Sequence, residues 1–358
     1  MIYKANISNF SKLLRRLWRI IGCNSGGLLL VMLLFGVIMV VSARTITDMA
    51  GRRVTIPDKI TRVIPYDNKT NPILFAVAGN LMIAKARSIE SPYLKFISKD
   101  FLNKKEIDTK NAEEVIRLKP DVIIIAAFLE DRDNVSRYES FASKINIPLV
   151  VVDLELMNLD KTYDFLGQLL GKTTEAKSCS GYIHSVCGDV EKYTKGKRVP
   201  GKAYMANDND GLRTSPNSSN HAQLFDVMKI PNAAHVSLDA KGFALVSMEQ
   251  VMAWNPDYVF CVGKGEASPY RNILKSATWR GITATKTKRV FFVPTEPYSW
   301  FDIPPSVNRI LGLVWFNDLF YNQPNEITRQ KVKEFYRVFY HYELTDKEYA
   351  GLFSDTVY

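Results

Sequence analysis

One segment of the chain occurs twice, and this repeat limits the possible folds more than any other feature. Residues 111–125 and 247–261 keep a constant offset of 136 (111 against 247). Each copy combines a capping Asn or Ser, a short helical pattern, a Pro-Asp pair and a continuous apolar run. An apolar run without alternation is typical of a strand buried on both faces of a parallel sheet. A helix–strand unit repeated at a domain-sized interval therefore predicts two similar α/β lobes.

Further apolar runs predict three strands in each half of the chain. These strands are expected at Arg62–Pro65, Asp121–Ala127, Pro148–Val152, Lys202–Ala206, Tyr258–Val262 and Val290–Val293. Between the halves, apolar residues recur at helical spacing from Leu159 to Tyr193, with a break at Gly171. We therefore expect lobes with parallel sheets at 44–158 and 196–322, joined by a long rigid helical spine over 159–195. The ligand cleft would lie between the lobes, and a helical tail would follow over 323–358.

The first 43 residues have the pattern of a targeting segment that precedes the fold. They hold five Lys or Arg residues and no carboxylate, and Gly26–Ala43 contains no charge. A basic flank followed by an apolar run and small residues is typical of a secretory signal peptide. Cleavage after Ala43 would release the body of the protein into the periplasm. An uncleaved inner-membrane anchor is the alternative, because this apolar run is close to membrane-spanning length.

The composition argues against several classes of protein. With 46% hydrophobic and 23% charged residues, the chain is an ordinary core-forming protein. Its net charge is +10 (47 − 37), but without the five cations of the first 43 residues it is only +5 (42 − 37), too weak an electrostatic footprint for a nucleic-acid binder. No nucleophile motif is present, and the four histidines share no ligand-like spacing. We therefore expect neither an enzyme nor a resident cofactor or metal ion.

Polar and aromatic loops follow the predicted strands, at the edge where α/β sheets bind their ligands. The candidate ligand-binding residues in these loops are Tyr66, Asn68, Lys69, Phe128, Glu130, Asn207, Arg213, Tyr298 and Trp300. Lys69 and Arg213 predict an anionic ligand, since a guanidinium forms a natural fork for a carboxylate or oxyanion. The alternative is that these loops are solvated turns and that the aromatic residues pack the edge of a lobe.

Several of these segments together resemble the periplasmic substrate-binding proteins of bacterial ABC importers for iron–siderophore, haem and cobalamin. The resemblance covers about residues 44–322. It rests on Ile46–Pro57, the two Glu-x6-Pro-Asp units, Asp210-Gly211-Leu212, Trp279–Ile282 and Trp300–Trp315. The last two stretches resemble the branch that also includes molybdate and tungstate binders. The sequence departs from the family pattern at Tyr66–Lys69 and Arg213–Asn217, which leaves the ligand open.

The resemblance implies two Rossmann-like lobes joined by a rigid helix, with the ligand held between them and no catalysis. The expected function is capture of a metal complex, foremost an iron–siderophore, for an ABC permease dimer with its ATPase. A molybdate or tungstate binder is the alternative within this class, and a membrane-anchored sensor or scaffold is the alternative outside it. A monomer without nucleic-acid partners is expected, and any iron, cobalt or molybdenum would belong to the ligand.

The resemblance also implies a docking role for Glu113 and Glu249, which occupy the same position in the two repeats. In the resembled family, a glutamate at this place on each lobe meets arginines of the two-fold permease dimer. We expect both residues at the opposite end of their strands from the ligand loops. The alternative is helix capping, since acidic residues in the first turn are favoured by the helix dipole.

Overall fold

Two parallel sheets of three strands each form the centres of two lobes in the computed structural model, which describes residues 42–87, 94–130, 132–263 and 268–354. The strands are β1 (Ala43–Thr47), β2 (Arg53–Pro57), β3 (Val63–Pro65), β4 (Lys85–Ala86), β5 (Glu106–Ile107), β6 (Val122–Ala127), β7 (Leu149–Asp153), β8 (Ala203–Ala206), β9 (Arg213–Thr214), β10 (Ala244–Leu245), β11 (Tyr258–Cys261) and β12 (Val290–Phe292). The six strands predicted from apolar runs are all present, each within about one residue of the expected bounds.

The helices lie between these strands and after them. They are α1 (Thr70–Ala78), α2 (Lys99–Leu102), α3 (Ala112–Leu118), α4 (Arg132–Ile145), α5 (Leu159–Leu170), α6 (Thr173–Thr194), α7 (Gln223–Val227), α8 (Met248–Trp254), α9 (Pro269–Lys275), α10 (Thr283–Lys286), α11 (Arg309–Tyr321), α12 (Asn325–Tyr340) and α13 (Asp346–Leu352).

The two sheets have the same strand order. The first runs β3-β6-β7 and the second β8-β11-β12, and every pair in both is parallel. Val63 lies opposite Val122 in the first sheet, and Ala203 lies opposite Tyr258 in the second. The central strands β6 and β11 are fully buried, as their unbroken apolar runs predict. The α/β class with parallel sheets is therefore confirmed.

The repeat is also visible in the hydrogen bonds that begin and end the helix of each helix–strand unit. The Asn111 side chain caps α3 by accepting from the Glu114 N–H, and Ser247 caps α8 by accepting from the Gln250 N–H. Both helices end at a residue with left-handed backbone, Lys119 and Asn255. The aspartates of the two Pro-Asp pairs then accept hydrogen bonds from backbone N–H groups at the start of the neighbouring strand, so each helix is tied to its sheet.

A helical spine joins the two lobes. Helix α5 ends at Gly171, whose φ of +66° favours glycine, and α6 continues for 22 residues, about 33 Å. Gly167 allows α5 and α6 to approach closely, since a Cβ at that position would lie 2.5 Å from the Cβ of Ala176. The break predicted at Gly171 is thus the turn between two packed helices.

Helix α12 of the carboxyl-terminal tail reinforces this spine. Its Phe339 ring packs edge-on against Tyr163 of α5, and the Tyr182 hydroxyl of α6 donates to the Lys331 carbonyl at 2.8 Å. Tyr340 stacks on Phe75 of the first lobe and donates to Asn308 of the second. One helix therefore contacts both lobes and the spine between them.

We expect ligand binding to cause only a small movement of the lobes, because α6 and α12 would have to bend or unpack for a large one. X-ray scattering of the protein, with and without a compound that raises its melting temperature, should give superimposable low-angle curves. A clear fall in the radius of gyration on binding would contradict this expectation.

The predicted leader or anchor falls almost entirely on residues 1–41, outside the described residues. Within the described ranges, no helix is both long and apolar enough to cross a membrane.

Candidate functional site

A cavity of about 460 Å³ lies where the carboxyl end of the first sheet faces loops of the second lobe. The first lobe lines it with Lys69, Ala127, Phe128 and Tyr138, and the second with Ser218–His221, Leu238–Gly242 and Pro305. Ala127 is the last residue of β6. The cavity thus occupies the place between the lobes where α/β folds hold ligands.

The wall from the first lobe is fixed by the loop that leads into α1. Lys69 forms an ion pair with Asp67, and the other oxygen of that carboxylate accepts from the Thr70 hydroxyl at 2.7 Å and from its N–H at 3.1 Å. Thr70 Oγ1 in turn accepts from the Ala126 N–H of β6. These bonds place Lys69 at the edge of the sheet with its side chain toward the cavity.

His221 is the most constrained polar residue in the wall from the second lobe. Its Nδ1 forms an ion pair with the buried carboxylate of Asp302, and its Nε2 lies 3.0 Å from the Lys241 carbonyl oxygen. Both ring nitrogens therefore face oxygen atoms that can accept a hydrogen bond, an arrangement that favours the doubly protonated, cationic ring. Burial works against this charge, but the contact with Asp302 and its charge outweigh burial and raise the His221 pKa.

The His221 ring is held in place by its neighbours. It stacks on the Phe243 ring with centroids 4.3 Å apart. Gly242 completes the fit, because its φ is +84° and a Cβ there would lie 2.7 Å from Cδ2 of His221. The Ser219 hydroxyl donates to the Gly242 carbonyl at 2.6 Å and so joins the two loops that carry these residues.

Arg309 lies beneath the cavity and connects the lobes. Its guanidinium is buried and donates to the carbonyls of Leu154 and Ser306 and, at 2.9 Å, to the side-chain oxygen of Gln223. It also lies 5.4 Å from the centroid of Phe128. Burial lowers the Arg309 pKa to about 10, against the nearby carboxylates, so this residue stays charged at neutral pH.

The lining side chains carry more positive than negative groups. Lys69, His221 and Lys241 line the cavity, against one lining carboxylate, Asp239. Two of these basic groups also face a carboxylate outside the lining, Lys69 that of Asp67 and His221 that of Asp302. Asp239 is used within its own loop, where it accepts from the N–H groups of Lys241 at 2.7 Å and Phe243 at 3.0 Å. The Phe243 bond is the main cause of its lowered pKa. Within the described part of the chain, no three His, Cys, Asp or Glu side chains are grouped as a metal site would require.

Two of the nine predicted ligand-binding residues, Lys69 and Phe128, line this cavity. Tyr66 lies behind the wall, with its ring edge-on to Tyr138 at 5.3 Å, while Asn68 is half-buried in the same loop and Glu130 is exposed to solvent. Asn68 and Glu130 do not line the cavity.

The remaining four predicted residues lie away from the walls. Asn207 is buried directly after β8, and its side-chain amide has no hydrogen-bond partner among the described residues. Tyr298 is half-buried, and its carbonyl accepts from the Asn308 amide. Trp300 is fully buried and packs edge-on against Phe353 at 5.5 Å. As a wall for a ligand Trp300 is therefore a wrong prediction, and the alternative of edge packing describes it.

Arg213 lies one layer behind the cavity. Its Cζ is 3.9 Å from the centroid of Phe243, the ring on which His221 stacks, and its Nη1 is 3.8 Å from Asp208. Arg213 does not line the cavity as expected, because its guanidinium lies against the Phe243 ring.

Replacing Arg213 by alanine should therefore change ligand affinity by less than about threefold, well under the tenfold that corresponds to 1.4 kcal/mol. Lys69→Ala should weaken binding by about tenfold or more, since it removes a cation from the wall. Titration calorimetry of both variants measures the difference. A tenfold loss in Arg213→Ala would instead place that guanidinium in contact with the ligand.

Sequence reasoning missed His221, Asp302 and Arg309. Asp302 and Arg309 lie within Trp300–Trp315, one of the stretches that carry the family resemblance, so a signal for them was present. His221 gave no signal, since its partners Lys241 and Asp302 are 20 and 81 residues away in sequence (241 − 221; 302 − 221).

The structure also corrects the position of Glu113 and Glu249. The Thr109 hydroxyl, just before α3, donates to the carbonyl of Tyr66 at the carboxyl end of β3. Just before α8, the Val246 N–H donates to the Leu212 carbonyl beyond the carboxyl end of β8. Both helices thus begin at the edge of the sheet that carries the ligand loops. The expectation that the glutamates lie at the opposite end is wrong, because a helix that precedes a parallel strand starts at the carboxyl edge and runs back.

Comparisons with known proteins agree with this architecture. Residues 90–297 match the family described as periplasmic binding protein. The chain is 27% identical over 342 residues to the molybdate-binding protein MolA of Haemophilus influenzae, covering 83% of this chain and 91% of that protein. It is 25% identical over 218 residues to the petrobactin-binding protein YclQ of Bacillus subtilis, covering 57% of this chain and 66% of that one.

Among solved structures, an ABC transporter solute binding protein from Sulfurospirillum deleyianum is similar in fold. The TM-score is 0.77, with 22% sequence identity, over 87% of this chain and 99% of that chain. Identity this low supports the fold and does not by itself carry over a ligand.

Proposed function

Because the chain belongs to the periplasmic binding protein family, we propose that it is an exported solute-binding protein that holds an anionic ligand between its lobes for an ABC importer. The observation that carries the proposal is that three basic side chains, Lys69, His221 and Lys241, line the cavity from both lobes, with Asp239 as the lining carboxylate. Lys241 forms no ion pair within the described part of the chain, whereas Lys69 and His221 are held by Asp67 and Asp302. The relatives are named as binding proteins, which supports capture over catalysis.

The ligand we propose first is a metal oxyanion of the molybdate type. Its support is the similarity to a molybdate-binding protein along most of both chains, together with the small polar residues Ser218 and Asn220 beside the basic side chains. Hydrogen-bond donors and cations at short range suit a compact anion.

The second candidate is an anionic iron chelate, the ligand class expected first from the sequence. Its support is the similarity to a petrobactin-binding protein and the size of the cavity. About 460 Å³ lies within the range of sites for small organic ligands and exceeds what one tetrahedral oxyanion fills.

A ligand panel read by thermal shift tests both candidates. Molybdate, tungstate, sulfate, a ferric catecholate, ferric citrate and cobalamin would each be added to the purified protein. A compound present at 100 times its Kd adds about 2.7 kcal/mol to the unfolding free energy, which is easily seen as a higher melting temperature. We expect stabilisation by molybdate and tungstate. Stabilisation by the ferric compounds alone would establish the second candidate, and no stabilisation by any anion would contradict the proposal.

We also propose that the chain acts in the periplasm and docks on its permease through Glu113 and Glu249. Amino-terminal sequencing of the protein from its host separates a soluble capture protein, cleaved after Ala43, from an anchored one.

A further inference from the structure

The two helix–strand repeats expose matching apolar side chains beside the two glutamates. Ile116 is 46% exposed on α3, and Met252 is 52% exposed on α8. The two residues have the same offset of 136 as the rest of the repeat (116 against 252). Each lies three residues after a glutamate, so Glu113 and Ile116, like Glu249 and Met252, share one face of their helix.

The equivalence extends through the whole repeat. Residues 111–121 and 247–257 have the same degree of burial at ten of eleven positions, with Glu114 and Gln250 as the exception. Glu114 forms an ion pair with Lys105 at 2.8 Å, whereas Glu113 and Glu249 form no ion pair within the described part of the chain. The two helices therefore present the same kind of surface to solvent, a carboxylate without an ion pair among the described residues next to an apolar side chain.

A single exposed apolar residue needs no explanation, but a matched pair does. Seven large apolar side chains are exposed among the described residues, and only Ile116 and Met252 stand at equivalent positions of the repeat. Neither helix needs an apolar residue there for its core, since Val115 and Val251 fill that role and are fully buried.

We propose that Ile116 and Met252 are paired apolar anchors for the two-fold-symmetric permease, each fitting a hollow beside the cation that meets the neighbouring glutamate. A partner with two equivalent halves would meet the same carboxylate and the same apolar group on each lobe. Both helices begin at the edge of the sheets where the cavity lies, so a partner seated on them would face the bound ligand. This inference rests on the proposed function.

The test uses the full chain in its host, with a photo-cross-linking amino acid at Arg117 or at Ala253. These residues are exposed and equivalent in the repeat, so each probe reports on one lobe. The readout is the yield of adduct with a polytopic membrane protein, identified by mass spectrometry. Ile116→Ser, Met252→Ser and the double variant are compared with Leu274→Ser, a matched control that is 47% exposed on α9 and has no exposed counterpart.

We expect both probes to yield adducts with the same membrane protein, and each single variant to lower the yield at the probe on its own lobe. The double variant should lower both yields at least tenfold, while Leu274→Ser leaves them unchanged. Molybdate-induced thermal shifts should be the same in all variants, which excludes misfolding. Adduct yields within twofold of the parent in the double variant, or a loss at one lobe only, would overturn the anchors while leaving the proposed function intact. Absence of any membrane-protein adduct in the parent would overturn both.

Discussion

Uptake should be abolished when Glu113 and Glu249 are both changed to lysine, while ligand affinity in solution stays within about twofold, well under 1.4 kcal/mol. Both side chains are exposed and lie outside the cavity wall, so charge reversal leaves the ligand contacts in place. Each introduced lysine would then face a basic residue of the permease, so both halves of the interface would be repelled at once. Uptake of the compound identified by the panel is measured in cells whose only copy of this protein is the variant.

Helix capping is the alternative role of these glutamates, and the free energy that it contributes to stability is known in order of magnitude. A carboxylate in the first turn stabilises a helix by about 0.3–1 kcal/mol. Losing two such contributions lowers the melting temperature by a few degrees and leaves a protein of ordinary stability folded. Capping alone therefore predicts a small change in stability and normal uptake.

Glu326→Lys is the matched control for this experiment. Glu326 is an exposed acid in the first turn of α12, outside the repeat, so its reversal changes the same kind of helix end without touching α3 or α8. It should leave uptake normal. If the double variant at Glu113 and Glu249 also supports normal uptake, the docking role is wrong and both residues are helix caps.

The fold was predictable because its signals are local. A strand buried on both faces needs an unbroken apolar run, and β6 and β11 each have one. The Pro-Asp pairs mark the corners before these strands. Gly171 marks the turn in the spine, because a helix often ends at a residue with left-handed backbone and glycine adopts that conformation most easily. The direction of α3 and α8 relative to the cavity follows from the order of helix and strand along the chain. The wrong expectation for Glu113 and Glu249 was therefore an error of reasoning, because the signal for their position was present in the sequence.

The site was harder to predict because its residues meet only in the folded chain. Lys69 and Phe128 were found because each lies in the loop that follows a strand, β3 for Lys69 and β6 for Phe128. His221 follows no main strand, and its role depends on Asp302, Lys241 and Gly242 from two other loops. Trp300 shows the opposite error, since an aromatic residue in a loop after a strand has the same sequence signature whether it faces a ligand or the core. Burial against Phe353 of the tail decides for the core.

Binding of an anion should weaken as the pH rises through the pKa of His221. The ring is a cation below that pKa, so its attraction for the ligand is fully present at lower pH and is lost above it. Because Asp302 and the Lys241 carbonyl raise this pKa, against the effects of burial and of Arg309, the loss falls above the ordinary histidine value of about 6.5. The same sign holds for folding, since a raised pKa stabilises the folded chain at low pH and ceases to do so at high pH.

The glutamine variant separates the charge of His221 from its position. His221→Gln keeps a side-chain amide that can donate to the Lys241 carbonyl, but it carries no titrating charge. Its affinity for the anion at about pH 6 should fall at least tenfold, about 1.4 kcal/mol, and its Kd should stay level up to about pH 9 while that of the parent rises. His184→Gln is the control, because His184 is an exposed histidine on α6 that does not line the cavity, and this variant should keep the slope of the parent. Calorimetric titrations across this pH range, with an anion of constant charge, measure both slopes. A His221→Gln profile as steep as that of the parent would show that another group titrates, and that the His221–Asp302 pair serves only to join the loops around the cavity.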